Sequence, residues 1–108
     1  MGLRYGSKVD ANQEQIVREL RAMGFRVDLV HRLKKLYDVV VTGNKRIAYQ
    51  TGLQPVFTEA VFTLRVEIKM PNEKLSPDEQ EYWDAEPFPE TLIIARSTED
   101  VLKWFGRI

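Results

Sequence analysis

The length and composition of the chain are those of one small globular domain. It has 108 residues, of which 44% are hydrophobic and 30% charged, and this suits a single hydrophobic core. It has no cysteine and one histidine, so disulfides, thiolate zinc sites and histidine-rich metal sites are excluded. Any bound metal must therefore be a hard cation held by oxygen atoms, which favours magnesium or manganese.

The net charge is zero, but the charges are unevenly distributed along the chain. Residues 1–50 carry ten Lys or Arg and five Asp or Glu, whereas residues 51–108 carry six and eleven. This asymmetry predicts a basic and an acidic face, or two chains meeting head to tail, unless folding mixes the two halves. No apolar run is long enough to span a bilayer and the N-terminus has no apolar signal segment, so we expect no membrane association and a cytoplasmic location.

The first half of the chain predicts an amphipathic helix followed by strands. Residues 1–9 are typical of a flexible basic arm, and residues 10–108 are expected to form one domain. Asp10 is the predicted helix N-cap, Gln13 occupies the capping-box position, and Gly24 is the predicted left-handed C-terminal cap. The apolar stripe between them has helical spacing and consists of Ile16, Val17, Leu20 and Met23.

Three strands are predicted next, with a turn and a loop between the second and third. Residues 25–30 alternate between apolar and polar, and residues 36–41 form a strand that ends in a run of three valines. A turn is expected at residues 42–45, return pairing at residues 46–49, and a loop at residues 50–56. Residues 60–70 alternate most clearly, with one apolar face and one face that becomes polar towards Lys69.

The last third of the chain predicts helix, strand and helix. Ser76 is the predicted N-cap of a helix that ends near Ala85, with Pro77 in the first turn and Glu79 completing the capping box. Residues 91–95 form a short buried strand, and residues 97–100 begin the last helix. The resulting order, α-β-β-β-α-β-α, predicts an α/β domain with a mixed central sheet flanked by helices.

Two carboxylates and a lysine are expected on one face of this sheet. Glu67 and Lys69 lie two residues apart in a strand and therefore point the same way, while Asp38 heads the preceding strand. Asp38 and Glu67 are candidate ligands of a divalent cation, to which the backbone carbonyl of Ile68 adds a third oxygen. Such a cation activates water for phosphodiester hydrolysis, and Lys69 is placed to orient the water or stabilise the developing charge.

With these residues in place, the chain resembles the PD-(D/E)xK nuclease superfamily. Its signature here is Asp38 followed by Glu67-Ile68-Lys69, although Tyr37 stands where the motif has proline. The chain is most similar to small Holliday-junction-resolvase-like proteins and VRR-NUC domains, which are often found in phages. The further motifs that carry this resemblance are Asp10-Ala11-Asn12-Gln13, Leu20-Arg21-Ala22-Met23-Gly24 and Ser76-Pro77-Asp78-Glu79-Gln80.

The resemblance implies a restriction-endonuclease-like core, a Mg²⁺- or Mn²⁺-dependent endonuclease, and DNA, including branched or junction DNA, as substrate. It implies a homodimer, which would cut opposite strands, in a bacterial or phage-infected cytoplasm. Gln13 matches a family residue that completes the site, with Glu14 and Gln80 as further candidates in its surroundings. A basic track for DNA is expected from Lys8, Arg32, Lys34, Lys35, Lys45 and Arg46.

Other interpretations of these residues stay open. Glu67 and Lys69 would also form an exposed ion pair, Gln13 a helix cap, Gln80 a packing contact, and the basic residues a solvated edge. The segment 43–60 is either an inserted loop or an extended hairpin. The alternative function is a catalytically inactive nuclease-fold module for DNA binding or assembly, and a third is RNA processing by the same chemistry.

Overall fold

A computed structural model describes residues 7–30 and 37–108, with side chains described from residue 11 onwards. These residues form an α/β fold in which three helices flank a four-stranded mixed sheet. Along the sheet the strands lie in the order β1-β2-β3-β4, with antiparallel pairing except between β3 and β4, which are parallel. The elements are α1 (Ser7–Ala22), β1 (Arg26–Leu29), β2 (Val39–Thr51), β3 (Gln54–Ile68), α2 (Pro77–Asp84), a 3-10 turn (Pro89–Thr91), β4 (Leu92–Ala95) and α3 (Thr98–Trp104). The predicted order of helices and strands is confirmed.

The hydrophobic core lies between one face of the sheet and the helices α1 and α3. Alternate residues of β2 and β3 point into it, as the period of two in the sequence predicts. The predicted stripe of α1 is buried except for Met23, which is half exposed. The fully buried core side chains are Ile16, Leu20, Val39, Val41, Leu64, Val66, Ile68, Val101 and Phe105.

The helix α1 begins four residues earlier than predicted. It starts at Ser7, so Asp10 lies inside the helix and the capping roles expected of Asp10 and Gln13 are wrong. Residues 7–9, assigned to the flexible basic arm, are helical, while residues 1–6 lie outside the described residues. The C-terminal end is as predicted, because Gly24 adopts the left-handed conformation with φ 93°.

The turn predicted at residues 42–45 is wrong, because β2 runs straight through it to Thr51. Gly43 is needed there for packing: a Cβ at this position would lie 2.4 Å from a ring carbon of Phe25. The chain reverses instead at Gly52 and Leu53, where Gly52 has φ 63° and Thr51 pairs with Gln54. A positive φ at the first of two turn residues is typical of a type II′ hairpin. Segment 43–60 is therefore an extended hairpin rather than a loop.

The helix α2 begins as its sequence predicts. The Ser76 hydroxyl accepts a hydrogen bond from the Glu79 backbone N–H at 3.2 Å, and the Glu79 carboxylate accepts one from the Ser76 N–H at 2.8 Å. Pro77 occupies the first turn and Ala85 is the C-cap. Hydrogen bonds from Lys69 to Glu79 and from Arg65 to Tyr82 hold α2 against the polar face of β3, opposite to the hydrophobic core.

Candidate active site

Asp38 lies beside the end of β3, as the sequence analysis predicts. Its backbone N–H donates to the Val66 carbonyl at 2.9 Å, so Asp38 and Val39 both face Val66, which is the ladder partner of Val39. Its carboxylate accepts a hydrogen bond from the Ile68 N–H at 2.7 Å. The carboxylate is therefore oriented by the backbone of the strand that carries Glu67 and Lys69.

Glu67 and Lys69 point to the same face of β3, and both are buried. The exposed fraction is 4% for Glu67 and 8% for Lys69, and the Lys69 Nζ lies 3.5 Å from Oε2 of Glu67. The expected alternative of an exposed ion pair is therefore wrong. Burial of two ionisable groups is costly unless partners satisfy them, so the neighbours of this pair determine its state.

A third carboxylate, from Glu79, completes the cluster. One of its oxygens accepts from the Lys69 ammonium and also from the Ser76 N–H, both at 2.8 Å. Glu73 approaches the same ammonium at 3.7 Å. From the sequence, Glu79 was expected in the helix cap and, with Glu81, Asp84 and Glu86, on an outer, solvated face that points away from substrate. That expectation is wrong for Glu79, whose side chain is 13% exposed and faces Lys69. We call Asp38, Glu67, Lys69 and Glu79 the acidic cluster.

The acidic cluster carries more carboxylates than cations, and the pKa values reflect this. Burial raises the pKa of Glu67 to about 10, and the neighbouring Glu79 and Asp38 carboxylates, within hydrogen-bonding reach, contribute to this rise. Burial acts to raise the pKa of Glu79 as well, but hydrogen bonds with Glu67 and Lys69 outweigh it and lower the pKa to about 2. Glu67 therefore holds a proton at neutral pH, and Glu79 is ionised.

The ammonium of Lys69 stays charged despite its burial. Burial alone would lower the pKa of Lys69, but Glu79, Glu67 and Glu73 together outweigh this and raise it. The Lys69 ammonium thus lies among Glu67, Glu73 and Glu79, at 3.5, 3.7 and 2.8 Å.

Arg65 links β3 to α2 and to the turn that follows α2, next to the acidic cluster. Its guanidinium bonds the Glu86 carboxylate at 2.7 Å, the Tyr82 hydroxyl at 3.3 Å and the Phe88 carbonyl at 2.9 Å. Hydrogen bonding to Glu86 is the main reason that the pKa of Arg65 is raised. Because Arg65 and Glu67 share one face of β3, these bonds limit the access of solvent to the cluster.

The amide on α1 that reaches the site is Asn12 rather than Gln13. The Asn12 side chain donates to the Lys69 carbonyl at 3.2 Å and so ties α1 to the end of β3. Gln13 makes no hydrogen bond with Asp38, Glu67 or Lys69; its side chain lines a cleft of about 500 Å³ between α1 and β1. Asn12 lies four residues before the buried Ile16 and therefore on the same face of α1, but only the packing of α1 brings it to the end of β3.

Glu14 and Gln80, the two residues expected in the surroundings of the site, lie away from the acidic cluster. Glu14 is exposed and lines the same cleft as Gln13. Gln80 is exposed and donates to Asp84 one turn later on α2, at 2.9 Å. An exposed side chain bonded along its own helix supports neither contact with the cluster nor a packing role.

Only two of the six predicted DNA-binding residues have described side chains. The Lys45 ammonium lies 3.6 Å from the ring centroid of Trp104, and the Arg46 guanidinium lies 4.4 Å from that of Phe57. Both are on the long hairpin rather than beside the acidic cluster. The other four fall outside the described side chains, namely Lys8, Arg32, Lys34 and Lys35.

The residues predicted to hold a cation lie on one side of β3. The N–H and C=O of a strand residue point to the same neighbour, so the Ile68 carbonyl is directed towards Asp38, as its N–H is. Two carboxylates and one carbonyl, with waters, suit Mg²⁺ or Mn²⁺. Over the described ranges, no three acidic or histidine side chains are arranged to hold a metal ion. Binding of a cation here therefore depends on the Ile68 carbonyl oxygen as the third protein ligand.

Comparisons with known proteins give no relative for this chain. No protein-family model matches it, and no curated protein or solved structure is significantly similar. Among the described helices, none is long and apolar enough to cross a membrane.

Proposed function

We propose that this chain is a metal-dependent endonuclease that hydrolyses DNA phosphodiester bonds, built on a restriction-endonuclease-like core of the PD-(D/E)xK type. One observation carries the proposal: Asp38, distant in sequence, lies with Glu67 and Lys69 at the end of β3, where burial and the neighbouring carboxylates raise the pKa of Glu67. Because burial and the neighbouring carboxylates favour the protonated form of Glu67, replacing its proton with a bound cation would stabilise the site.

Asp38, Glu67 and the Ile68 carbonyl would hold Mg²⁺ or Mn²⁺. When bound, the cation supplies Lewis acidity and a water of lowered pKa. Glu67 gives up its proton on binding, so affinity rises with pH. Asp38 keeps its orientation through the Ile68 N–H, and Lys69 keeps its proton and directs its charge at the scissile phosphate. Asn12 holds the end of β3, where these groups converge.

The proposal is tested by incubating linear, flapped and four-way DNA with the protein in Mg²⁺, Mn²⁺ or chelator. We expect cleavage that requires the cation. Asp38→Asn and Glu67→Gln are expected to reduce the rate by at least about 10²-fold, the scale on which single electrostatic groups act. Glu99→Gln, which changes an exposed acid on α3, is the matched control. Undiminished cleavage by both site variants would remove the proposal.

A catalytically inactive DNA-binding or assembly module is the second candidate, and the Glu79–Lys69 bond favours it. That bond, at 2.8 Å, already neutralises the ammonium without any cation. The two functions are separated by thermal melting with and without Mn²⁺. Cation binding to the folded chain raises the melting temperature with concentration, and Glu67→Gln abolishes the rise if Glu67 is a ligand. A melting temperature that is indifferent to Mn²⁺ favours the inactive module.

A further inference from the structure

The cleft between α1 and β1 has the size and the lining of a small-molecule site. Its volume is about 500 Å³. Sites of this size are typically apolar, with a few polar groups that converge on the ligand. Here Val17 and Leu29 supply apolar walls, and the other described lining residues are polar, namely Gln13, Glu14, Arg18 and Arg21. None of these residues belongs to the acidic cluster.

The polar residues of the cleft are ordered by charge along α1. Glu14, Arg18 and Arg21 are successively four and three positions apart, so they lie along one side of the helix. At about 1.5 Å per residue, Glu14 and Arg21 are about 10 Å apart along the helix axis. Within the described side chains, no ion pair joins Glu14 to either arginine. The cleft is therefore negative at one end and positive at the other.

The positive end of the cleft is built to bind an anion. Nη2 of Arg21 donates to the Val27 carbonyl of β1 at 2.7 Å, which fixes the position of the guanidinium. This bond uses one of several N–H groups, so the same guanidinium has donors for a ligand. Arg18, one turn earlier in α1, is exposed and brings a second guanidinium to this end. Paired guanidinium groups suit the oxygen atoms of a phosphate.

The edge of β1 adds backbone hydrogen-bonding groups beside the cleft. The Val30 N–H donates to the Asp38 carbonyl, so this residue pair is a hydrogen-bonded one. Because antiparallel pairs alternate, the N–H and C=O of Leu29 point away from β2. β1 is the edge strand of the described sheet, and it runs back along α1 after the turn at Gly24. Leu29 therefore lies towards the Glu14 end of the cleft.

The Glu14 end of the cleft is also the end near the acidic cluster. Asn12, at the start of this stretch of α1, donates to the Lys69 carbonyl. On the other side of the cleft, Leu29 pairs with Val39, the neighbour of Asp38. A ligand in the cleft would therefore lie beside the acidic cluster without touching the proposed cation.

We infer that the cleft binds a nucleoside monophosphate whose base carries an amino group. Arg18 and Arg21 bind the phosphate, and Val17 and Leu29 contact the base. Glu14 accepts a hydrogen bond from the amino group, as carboxylates do from the amino group of cytosine. Thymine presents a carbonyl oxygen at the same position, which a carboxylate cannot bind. A free nucleotide and an unpaired nucleotide of a DNA strand share this chemistry, and binding of either is independent of the proposed hydrolysis.

Calorimetric titration in chelator, where no metal-dependent cleavage occurs, tests the site. We expect deoxycytidine monophosphate (dCMP) to bind at least about tenfold more tightly than thymidine monophosphate (dTMP) or inorganic phosphate. Arg18→Gln and Arg21→Gln should each weaken dCMP binding at least about tenfold. Arg26→Gln makes the same change at an exposed arginine on the opposite face of β1 and should leave dCMP binding unchanged.

The preference between bases gives a second readout, which a purely structural role of Glu14 would not change. In Glu14→Gln the amide accepts from an amino group and also donates to a carbonyl oxygen, so the affinity for dTMP should approach that for dCMP. The inference is overturned if dCMP does not bind, if neither arginine variant weakens it, or if Glu14→Gln keeps the wild-type preference.

Competition with DNA distinguishes the two sources of the nucleotide. A labelled single-stranded oligodeoxycytidine with a 5′-phosphate is titrated with dCMP in chelator. Displacement of the strand by dCMP assigns the cleft to an unpaired nucleotide of DNA, and absence of competition assigns it to a free nucleotide. These binding experiments omit the cation, so their failure is distinct from a failure of the cleavage tests of the acidic cluster.

Discussion

At the scale of single residues, the state of Glu67 is the most informative feature of the chain. A buried carboxyl group with two carboxylate neighbours and one ammonium cannot ionise cheaply, so it keeps its proton. The same environment keeps Glu79 ionised, because Glu79 takes the hydrogen bonds of Lys69 and Ser76. Glu67 and Glu79 are in contact but differ in protonation state. Because both are glutamates, the difference comes from their surroundings.

Glu67 makes the stability of the metal-free chain fall as pH rises. Its pKa is about 10 in the folded chain and near 4.5 in the unfolded chain, so between these values only the folded chain holds the proton. The unfolded chain therefore binds fewer protons, and the free energy of unfolding decreases with pH across this window. Glu67→Gln removes the titrating group and should flatten this dependence.

Urea unfolding at pH 5, 7 and 9 in the presence of chelator measures this effect. We expect the stability of Glu67→Gln relative to wild type to increase at each step, with Glu99→Gln following the wild type throughout. Equal pH dependence in Glu67→Gln and wild type would contradict a protonated Glu67 in the folded chain.

At the scale of elements, the sequence-based predictions are correct where a local pattern has only one structural role. They are wrong where the same residue could serve either of two roles. The capping box at Ser76 is a local device, and α2 begins where it predicts. Gly43 was interpreted as a turn because glycine beside asparagine favours turns. Its actual use is to admit the ring of Phe25, a residue eighteen positions earlier in the chain, and no local pattern contains that information.

The packing role of Gly43 predicts a specific loss of stability. Gly43→Ala places a methyl group 2.4 Å from a Phe25 ring carbon, so we expect a loss of about 1–3 kcal/mol in the free energy of unfolding. In a Phe25→Leu background the clash is relieved and the same substitution should cost less. A double-mutant cycle by urea unfolding measures the difference, and equal costs in both backgrounds would assign Gly43 another role.

At the scale of the whole molecule, the fold divides into a packed body and the outer part of the β2–β3 hairpin, residues 44–61, which we call the ribbon. The body contains the core and the acidic cluster, while the ribbon contributes no buried side chain. The base of the ribbon touches the body through the Arg46 N–H, which donates to the Phe105 carbonyl at 3.2 Å. Stability and site geometry therefore belong to the body.

Shortening the ribbon tests this division. Residues 47–58 are replaced by Asn-Gly, which joins the paired residues Arg46 and Glu59 through a two-residue turn. We expect cooperative thermal unfolding and a free energy of unfolding, compared at concentrations where both chains are monomeric, within about 1 kcal/mol of the full chain. Loss of cooperative unfolding would show that the ribbon is part of the folded body.

The sequence by itself determined the helices and strands, their order, and the pairing of Glu67 with Lys69 on one strand face. These features arise from periodicities and caps that act over a few residues. Only the tertiary structure decided that Glu79 joins the cluster, that Asn12 rather than Gln13 reaches it, and that β2 continues to Thr51. Each of these depends on contacts between segments distant in the chain, where burial and close packing override the local preference of the residues.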